Sequence, residues 1–301
     1  QPLAYLLPST YVFEGMRSIV AGGDYDAVVS WNDAHALMAA PFGKRRVFSQ
    51  QLNHMPLHPV AWASMDMLVS PSKSHALYLS QMGRLMSMPV PPHHVVCNAL
   101  DTVDYSDALP FHERPMYISY WSSPDRGLHH LVELWEQVIE ELPEAQLHVF
   151  YHPDRFIDAM RGKWHFGELP YRAQSMKRAD IAHMPNVVLH GPVSRWELAK
   201  WQKQTRVYAY PLDTIGFTEG FGIAPGEALA AGARVVMRPE DAVEDVYGAS
   251  MRWVRSLLPD AGWRTRFARA ICEEATRTDN PREAAVKQVL EKYTWANAGK
   301  A

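Results

Sequence analysis

Two glutamates flank a glycine-rich segment in the second half of the chain. Glu219 and Glu227 stand eight positions apart within ThrGluGlyPheGlyIleAlaProGlyGlu at 218–227. Glycines let a backbone approach a ligand closely, and the N-terminus of the helix that follows offers N–H groups and a positive dipole end. Each carboxylate can accept two hydroxyl hydrogen bonds. The segment therefore predicts a diphosphate cradle with sugar hydroxyls on one side and ribose hydroxyls on the other. The alternative is an acidic helix N-terminus, which needs only one glutamate.

A second segment with matching chemistry is TyrTrpSerSerProAspArgGlyLeu at 120–128. Ser122 or Ser123 is predicted to cap a helix there. Arg126 would then lie in the first helical turn, where a cation opposes the macrodipole by a few tenths of a kcal/mol. An anion bound at this point would explain the arginine. The alternative is an exposed arginine paired with Asp125.

The elements that must position these segments alternate between strand and helix, which predicts an α/β protein with two doubly wound, Rossmann-like parallel sheets. Ligands of such sheets bind beyond the carboxyl ends of the strands. A polar segment with two prolines at 102–115 sets the boundary between domains at 1–112 and 113–301. Strands are predicted at 25–31, 45–50, 66–72, 94–101, 116–121, 147–151, 186–190, 206–210 and 234–237, and helices at 33–40, 73–82, 128–142, 195–203, 226–231, 262–277 and 281–292, with 152–183 irregular.

The composition excludes several classes of protein. A net charge of −3 gives no general attraction to nucleic acid, and the chain lacks an apolar run of the roughly 18 residues that a spanning helix needs. Two distant cysteines favour a reducing cytoplasm. The short basic run at 44–46 favours a solvated strand entry, with peripheral contact at the inner membrane face as the alternative. No pattern predicts an oligomeric state.

No metal site is predicted. AspTyrAsp at 24–26 precedes a strand, whereas the metal-binding Asp-x-Asp motif follows one. The histidine pairs at 93–94 and 129–130 are adjacent in sequence, and neighbours on a helix are expected to point apart.

Together the two segments resemble the C-terminal domain of the family 4 glycosyltransferases, which have the two-domain GT-B fold. The family carries two glutamates separated by seven residues, matched by Glu219 and Glu227, and a Lys or Arg before Gly-Leu, matched by Arg126. HisGlyProVal at 190–193 resembles the family's Gly-x-Val loop, and ValCysAsnAlaLeuAsp at 96–101 its element before the linker. The resemblance runs from about residue 25 onward and is strongest in the second domain.

The resemblance implies a retaining transfer of a hexose-type sugar from a UDP-, GDP- or ADP-sugar to a hydroxyl of a glycan, lipid or small molecule, without metal or other cofactor. Arg126 and the N–H groups of Gly222 to Ala224 would stabilise the leaving diphosphate. Glu219 would orient the donor sugar, and Glu227 would hold the ribose. The other donor-binding candidates are Ser122, Ser123, Gly191, Gly220, Phe221 and Ile223.

Three features depart from the family pattern. The first domain is expected to be abbreviated, Trp121 stands where members often have an arginine, and Gln51 stands where many have a histidine. His54, three residues further on, is the candidate that could replace that histidine in catalysis. Two other functions stay open at this point: a nucleotide-sugar epimerase of GT-B fold, and a non-catalytic nucleotide-sugar-binding protein.

Overall fold

The computed structural model describes residues 25–32, 37, 44–51, 59–101, 105, 107–154, 181–214, 216–255, 260, 262–279 and 287–300. The chain forms two compact units. The first contains 1–97 and 217–221, and the second contains 98–216 and 222–300. The boundary between the two compact units therefore lies between residues 97 and 98. The segment 217–221, although later in the chain, belongs to the first unit.

The first unit is built on a parallel sheet of four strands in the order β1-β2-β3-β4. Its apolar core gathers Phe48 and Leu68 from the sheet with Trp62 and Leu79 from the helices. Gly83 lets the Trp62 ring pack closely, because a Cβ there would lie 3.1 Å from it. The elements are β1 (Val28–Trp31), β2 (Arg46–Ser49), α1 (Pro59–Ala63), β3 (Met67–Ser70), α2 (Lys73–Leu85) and β4 (His93–Val95).

The second unit is built on a parallel sheet of six strands in the order β10-β9-β8-β5-β6-β7. Counted from β5, this is the 3-2-1-4-5-6 order of the dinucleotide-binding fold. Its elements are β5 (Tyr117–Tyr120), α3 (Leu128–Glu141), β6 (Gln146–Val149), β7 (Val187–Leu189), α4 (Arg195–Gln202), β8 (Val207–Tyr210), α5 (Ile223–Ala230), β9 (Arg234–Met237), α6 (Val243–Tyr247), β10 (Arg252–Trp253), α7 (Trp263–Thr276), α8 (Lys287–Lys292) and α9 (Trp295–Ala298).

Burial in the second unit follows the predicted pattern. Strands β8 and β9 are buried at every position, as expected for strands covered on both faces. On α3 the predicted apolar face is buried and packs with α7, where Phe267 and Ile271 are fully buried. That face consists of Leu128, Leu131, Trp135, Val138 and, at the helix end, Leu142.

The predicted strands all form, with shifted ends, and the predicted helices at 73–82, 128–142, 195–203, 226–231 and 262–277 form as well. Helix α5 begins at Ile223, three residues earlier than predicted, because Gly222 takes a left-handed conformation (φ 81°) that starts it. The pattern missed α1, α6, α9 and β10, which have five, five, four and two residues and are too short to show a period. Most of the predicted helix at 33–40, the first part of that at 281–292 and most of 152–183 lie outside the described residues.

Three buried arginines lie where the amino ends of β5, β8 and β9 meet. Arg114 is 2% exposed and donates from Nε, Nη1 and Nη2 to the carbonyls of Leu109, Thr205 and Ala231, at 2.9, 2.7 and 2.7 Å. Arg206 donates to the carbonyl of Ala275 at 2.6 Å. Ala231 and Ala275 lie at the ends of α5 and α7, so these cations meet the negative ends of helix dipoles. Burial and the neighbouring Arg234 charge lower the pKa of Arg206.

Among the residues that the structure describes, no helix combines the length and the apolarity needed to cross a bilayer.

Replacing Arg114 by methionine should lower the free energy of unfolding by about 3 kcal/mol or more, because it leaves buried carbonyls without their charged donor. Urea denaturation followed by tryptophan fluorescence measures the change. The matched control is Arg252→Met, since Arg252 is half exposed and pairs with Glu273 at the surface. The control should stay within about 0.5 kcal/mol of the wild type. Equal stability of the two variants would contradict the role given to Arg114.

Candidate functional site

The candidate site of the second unit lies at the carboxyl ends of β5 and β8, which are neighbours in the sheet. From β5 the chain runs to β6 and β7 on one side, and β8 then starts the other side with β9 and β10. The crevice at such a switch point is where parallel sheets bind ligands. The segments 121–127 and 211–214, together with the start of α5, meet at this point.

The loop after β5 contacts the end of β8 at Gly127, and we call this close contact between Gly127 and Pro211 the Gly127 lock. Its φ is +108°, and a Cβ built on it would lie 2.6 Å from the carbonyl oxygen of Pro211. An L side chain is therefore excluded twice, by backbone conformation and by space. The glycine also precedes α3, so the arginine before it is held beside the end of β8. This contact explains why a glycine stands between the arginine and the leucine of the Arg-Gly-Leu motif at 126–128.

The serines do not cap a helix as the sequence suggested. The Oγ of Ser122 lies 2.9 Å from the Tyr210 hydroxyl and is buried. Ser123 precedes a single 3-10 turn, Pro124–Arg126, and its hydroxyl donates to the Asp125 carboxylate and caps no backbone N–H. The reason is Gly127, whose left-handed conformation separates that turn from α3. Arg126 is accordingly the last residue of the turn and does not lie in the first turn of the helix.

Trp121 packs inside the second unit and connects two elements of the candidate site. Its indole Nε1 donates to the carbonyl of Ala224 at 3.3 Å, and its ring lies 4.1 Å from that of Tyr208. The residue is 8% exposed. It therefore ties the end of β5 to the first turn of α5, and Arg126 is the cation that this loop offers.

Helix α5 begins without a side-chain cap, because Gly222 stands at its N-cap. The Tyr247 hydroxyl donates to the carbonyl of Gly222 at 2.6 Å and fixes this turn. The small residues beyond it, Ala228 and Ala231, are fully buried. The first-turn N–H groups at Ile223 and Ala224 thus belong to a helix end suited to an anion.

Glu227 lies on α5, one turn into the helix, and is half-buried. The Gln202 side chain donates from Nε2 to its Oε2 at 3.2 Å. Gln202 was not among the residues predicted from the sequence, because Gln202 and Glu227 are 25 positions apart on different helices.

The segment 217–221 packs within the first unit. Glu219 is 8% exposed there, and Phe221 is 2% exposed. A Cβ on Gly220 would lie 3.3 Å from His75 Nδ1 and 3.5 Å from the Gln51 carbonyl oxygen. The ring of Phe217 stacks on Tyr78 and His75, with centroids 4.6 and 5.6 Å apart.

His75, which was not among the residues predicted from the sequence, lies next to Gly220 and Phe217 in the first unit. It is buried, and its backbone N–H donates to Ser72, the N-cap of α2, at 3.1 Å. A Ser-x-x-His spacing directly after a strand was the available signal, since it places the histidine in the first turn of a helix at a strand's carboxyl end. The candidate His54 lies outside the described residues.

Gly191 follows β7 and stands at an open position. Its φ is +74°, and a Cβ there would meet no described atom within 4 Å. Behind it, His190 Nε2 lies 2.9 Å from His148 Nδ1, and the His190 ring stacks on Phe150 at 4.4 Å. Burial, reinforced by the neighbouring His190, lowers the pKa of His148 to about 4. Burial also lowers the pKa of His190.

The expectation that His129 and His130 point apart is wrong. Their rings lie 3.8 Å apart, and their Nε2 atoms lie 3.6 and 2.8 Å from Asp213 Oδ2. The first turn of α3 lies against the segment after β8, so one carboxylate reaches both rings, and buried polar groups need such partners.

These three side chains offer potential metal-ligand atoms within 4.8 Å of one another. Arg238 lies 3.9 Å from Asp213, however, and Arg264 lies 3.2 Å from His130 Nδ1. Two guanidinium charges at this range disfavour a divalent cation. We therefore interpret the group as a buried hydrogen-bond cluster.

Residues 116–274, more than half of the chain, match the family described as Glycosyl transferases group 1. The chain belongs to the glycosyl transferases group 1 family. The match spans β5 to α7 and includes both loops at the switch point. The chain has no significant match among curated proteins.

Solved structures confirm the fold class of this family member, an α/β protein with parallel sheets of the GT-B type. HepE from Anabaena, in complex with UDP and glucose, has a TM-score of 0.69 at 15% identity, over 100% of this chain and 81% of that one. The pneumococcal O-GlcNAc transferase GtfA, in complex with UDP and GlcNAc, has a TM-score of 0.66 at 14% identity. That alignment covers 96% of this chain but only 58% of GtfA, so the chain spans less than two thirds of its length. Sucrose-phosphate synthase from Thermosynechococcus elongatus gives 0.64 at 14% identity, over 98% and 78%.

Replacing Gly127 by alanine should lower the free energy of unfolding by about 2 to 4 kcal/mol, since both the strained φ and the contact with Pro211 oppose a Cβ. Gly191→Ala is the matched control, because it carries the φ strain without the contact, and should cost about 1 to 2 kcal/mol. Chemical denaturation measures both. A smaller loss for Gly127→Ala than for the control would refute the lock.

The lowered pKa of His148 predicts a pH-dependent stability. The unfolded chain takes up a proton near pH 6.5 and the folded protein only near pH 4, so the free energy of unfolding falls as the pH falls through this window. His148→Phe removes this group and should flatten the dependence by about 1 kcal/mol per pH unit. Denaturation curves at pH 7, 6, 5 and 4 test it. An unchanged slope in the variant would show that His148 does not titrate in this range.

Proposed function

We propose that this chain is a glycosyltransferase that moves a hexose-type sugar from a nucleoside diphosphate sugar to a hydroxyl acceptor with retention of anomeric configuration. One observation carries the proposal. At the switch point of the second sheet, the Gly127 lock holds the Arg126 turn beside the end of β8, from which the chain runs on to the uncapped start of α5. A cation and a helix N-terminus together suit a diphosphate.

In the proposed mechanism, the bond between the anomeric carbon of the sugar and the diphosphate oxygen breaks while the acceptor hydroxyl oxygen bonds to that carbon. The hydroxyl attacks from the same face as the departing phosphate, which retains the configuration, and its proton passes to the departing phosphate oxygen. Arg126 and the N–H groups of Gly222, Ile223 and Ala224 stabilise the charge that develops on the diphosphate. These groups supply the positive charge, so the proposal requires no metal ion. The leaving group is the nucleoside diphosphate itself, which is UDP, GDP or ADP.

The glutamates have separate roles in this proposal. Glu227 accepts hydrogen bonds from the ribose hydroxyls, and Glu219 accepts them from the donor sugar and orients it. The backbone of Gly220 and Phe221 lines the sugar, and Gly191 gives the nucleotide an open approach. Ser122 and Ser123 contribute to the diphosphate end, and His54 is the proposed catalytic histidine in place of the one that many family members carry.

The ligands of two structurally similar proteins support the proposal that the donor is a nucleoside diphosphate sugar. HepE and GtfA each bind UDP together with a sugar in their solved structures. We infer the acceptor only by class, as a hydroxyl of a glycan, a lipid or a small molecule.

A panel of UDP-glucose, UDP-GlcNAc, GDP-mannose and ADP-glucose tests the proposal. Nucleotide release is followed enzymatically, and the sugar is followed by NMR, with and without EDTA. We expect release from one donor, unchanged by EDTA, and an α-linked product from an α-linked donor. Isomerisation without release would replace the proposal by an epimerase. Tight binding without turnover across an acceptor panel would replace it by a binding protein.

Arg126→Met should lower the rate of nucleotide release by about 100- to 1,000-fold, as expected for the loss of one stabiliser of a developing anion. Glu219→Gln should lower it by at least about tenfold, since a neutral amide orients the sugar less strongly. Arg252→Met removes a surface arginine of the same unit and is the control for lost charge. Equal rates for Arg126→Met and this control would exclude Arg126 from the site.

A further inference from the structure

We propose that Gln202, itself held by Tyr105, is a positioning residue that aims the Glu227 carboxylate at the ribose and thereby sets a preference for ribonucleotides over deoxyribonucleotides. This inference rests on the proposed function, in which Glu227 binds the ribose hydroxyls. All the groups involved lie within the second unit.

The three side chains form a buried relay. Tyr105 donates from its hydroxyl to Gln202 Oε1 at 2.8 Å, and Gln202 donates from Nε2 to Glu227 Oε2 at 3.2 Å. Tyr105 and Gln202 are 3% and 2% exposed. Water therefore competes little for the hydrogen bond between Tyr105 and Gln202, and the relay ends at the half-buried Glu227 carboxylate.

The chemistry of the relay permits only one orientation of the amide. A carboxylate only accepts hydrogen bonds, so the NH2 group of Gln202 must face Glu227. The amide oxygen then faces Tyr105, whose hydroxyl can donate to it. Each end of the glutamine is thus defined by a partner, and the rotation that would swap its nitrogen and oxygen is excluded.

A neutral donor suits a carboxylate that must still bind a ligand. An ionised carboxylate offers about four lone-pair sites, and the amide of Gln202 occupies one of them. A cation at the same place would neutralise the charge and bind more strongly than ribose hydroxyls do. The nearest residue of that kind along the chain, Lys203, directs its Nζ to Asp107 at 2.6 Å.

The packing around Tyr105 explains why the relay is rigid. Tyr105 shares an apolar cluster with Ala199 on α4 and with Ala230 and Ala231 at the end of α5. Small residues on both helices leave room for the tyrosine ring, so its hydroxyl reaches Gln202 at the end of α4. Fixing the glutamate before the nucleotide arrives removes rotamer entropy that binding would otherwise have to overcome.

The test uses calorimetric titration of the purified chain. The base is first chosen as whichever of UDP, GDP and ADP binds most tightly, and that ribonucleotide is then compared with its 2′,3′-dideoxy counterpart, the deoxyribonucleotide that lacks both hydroxyls proposed to bind Glu227. Gln202→Met keeps the length of the side chain and removes the donor. We expect it to weaken ribonucleotide binding about tenfold and to leave deoxyribonucleotide binding within about twofold.

Further variants separate positioning from folding. Tyr105→Phe removes one hydroxyl and should reduce the preference for ribose by about three- to fivefold, so it carries the test if Gln202→Met does not fold. Gln204→Met is the matched control on the same segment and should change neither affinity. Glu227→Gln should abolish the preference, and adding Gln202→Met to it should cause no further loss, because both act through one carboxylate.

The outcomes distinguish this inference from the proposed function. If the wild type binds none of the three diphosphates, the proposed function fails. If Glu227→Gln loses the ribose preference while Gln202→Met and Tyr105→Phe keep it, the positioning role fails alone. Equal weakening of the ribo- and deoxyribonucleotide by Gln202→Met would show a merely structural glutamine and would overturn the inference.

Discussion

The close approach of Gly127 to the Pro211 carbonyl is the constraint on which the second unit's candidate site depends. A Cβ at this glycine would lie 2.6 Å from the carbonyl oxygen, so the ends of β5 and β8 can meet only through bare backbone. The contact sets where the Arg126 turn stops and where α3 begins. It also brings Asp213 against His129 and His130, because α3 starts directly under the segment that follows β8. The positions of the charged residues Arg126 and Asp213 therefore follow from the backbone contact, because the glycine is what allows the ends of the two strands to approach each other.

The two edges of the six-stranded sheet have opposite electrostatic character. At the carboxyl edge, helices begin, and their free N–H groups and positive dipole ends suit an anion. At the amino edge, helices end, and the buried guanidinium groups of Arg114 and Arg206 bind their terminal carbonyls. Parallel strands make this separation unavoidable, since every crossover helix points the same way. The protein therefore supplies its own cations at one edge and leaves the other edge for a ligand's negative charge.

Most of the architecture followed from local pattern. The alternation of apolar strands with amphipathic helices predicted two parallel sheets, because each element's burial is recorded in its own few residues, as in Leu128, Leu131, Trp135 and Val138 on α3. Short elements such as β10 were not predicted, because two residues are too few to show a periodic pattern of apolar positions. The helix caps assigned to Ser122 and Ser123 were wrong because a serine before Pro-Asp fits a helix start and a 3-10 turn equally well, and only the conformation of Gly127 decides between them.

The sequence by itself determined the fold class, the glycines and charges around the switch point, and the spacing of Glu219 and Glu227. These are properties of neighbours along the chain, and neighbours leave a readable pattern. The tertiary structure alone decided which distant groups meet: Tyr105, Gln202 and Glu227 form one relay, His75 lies beside Gly220, and Trp121 bonds to Ala224. Hydrogen bonds between residues far apart in sequence depend on where whole strands and helices pack. A glutamine at the end of a helix becomes meaningful only once the carboxylate it faces is in place.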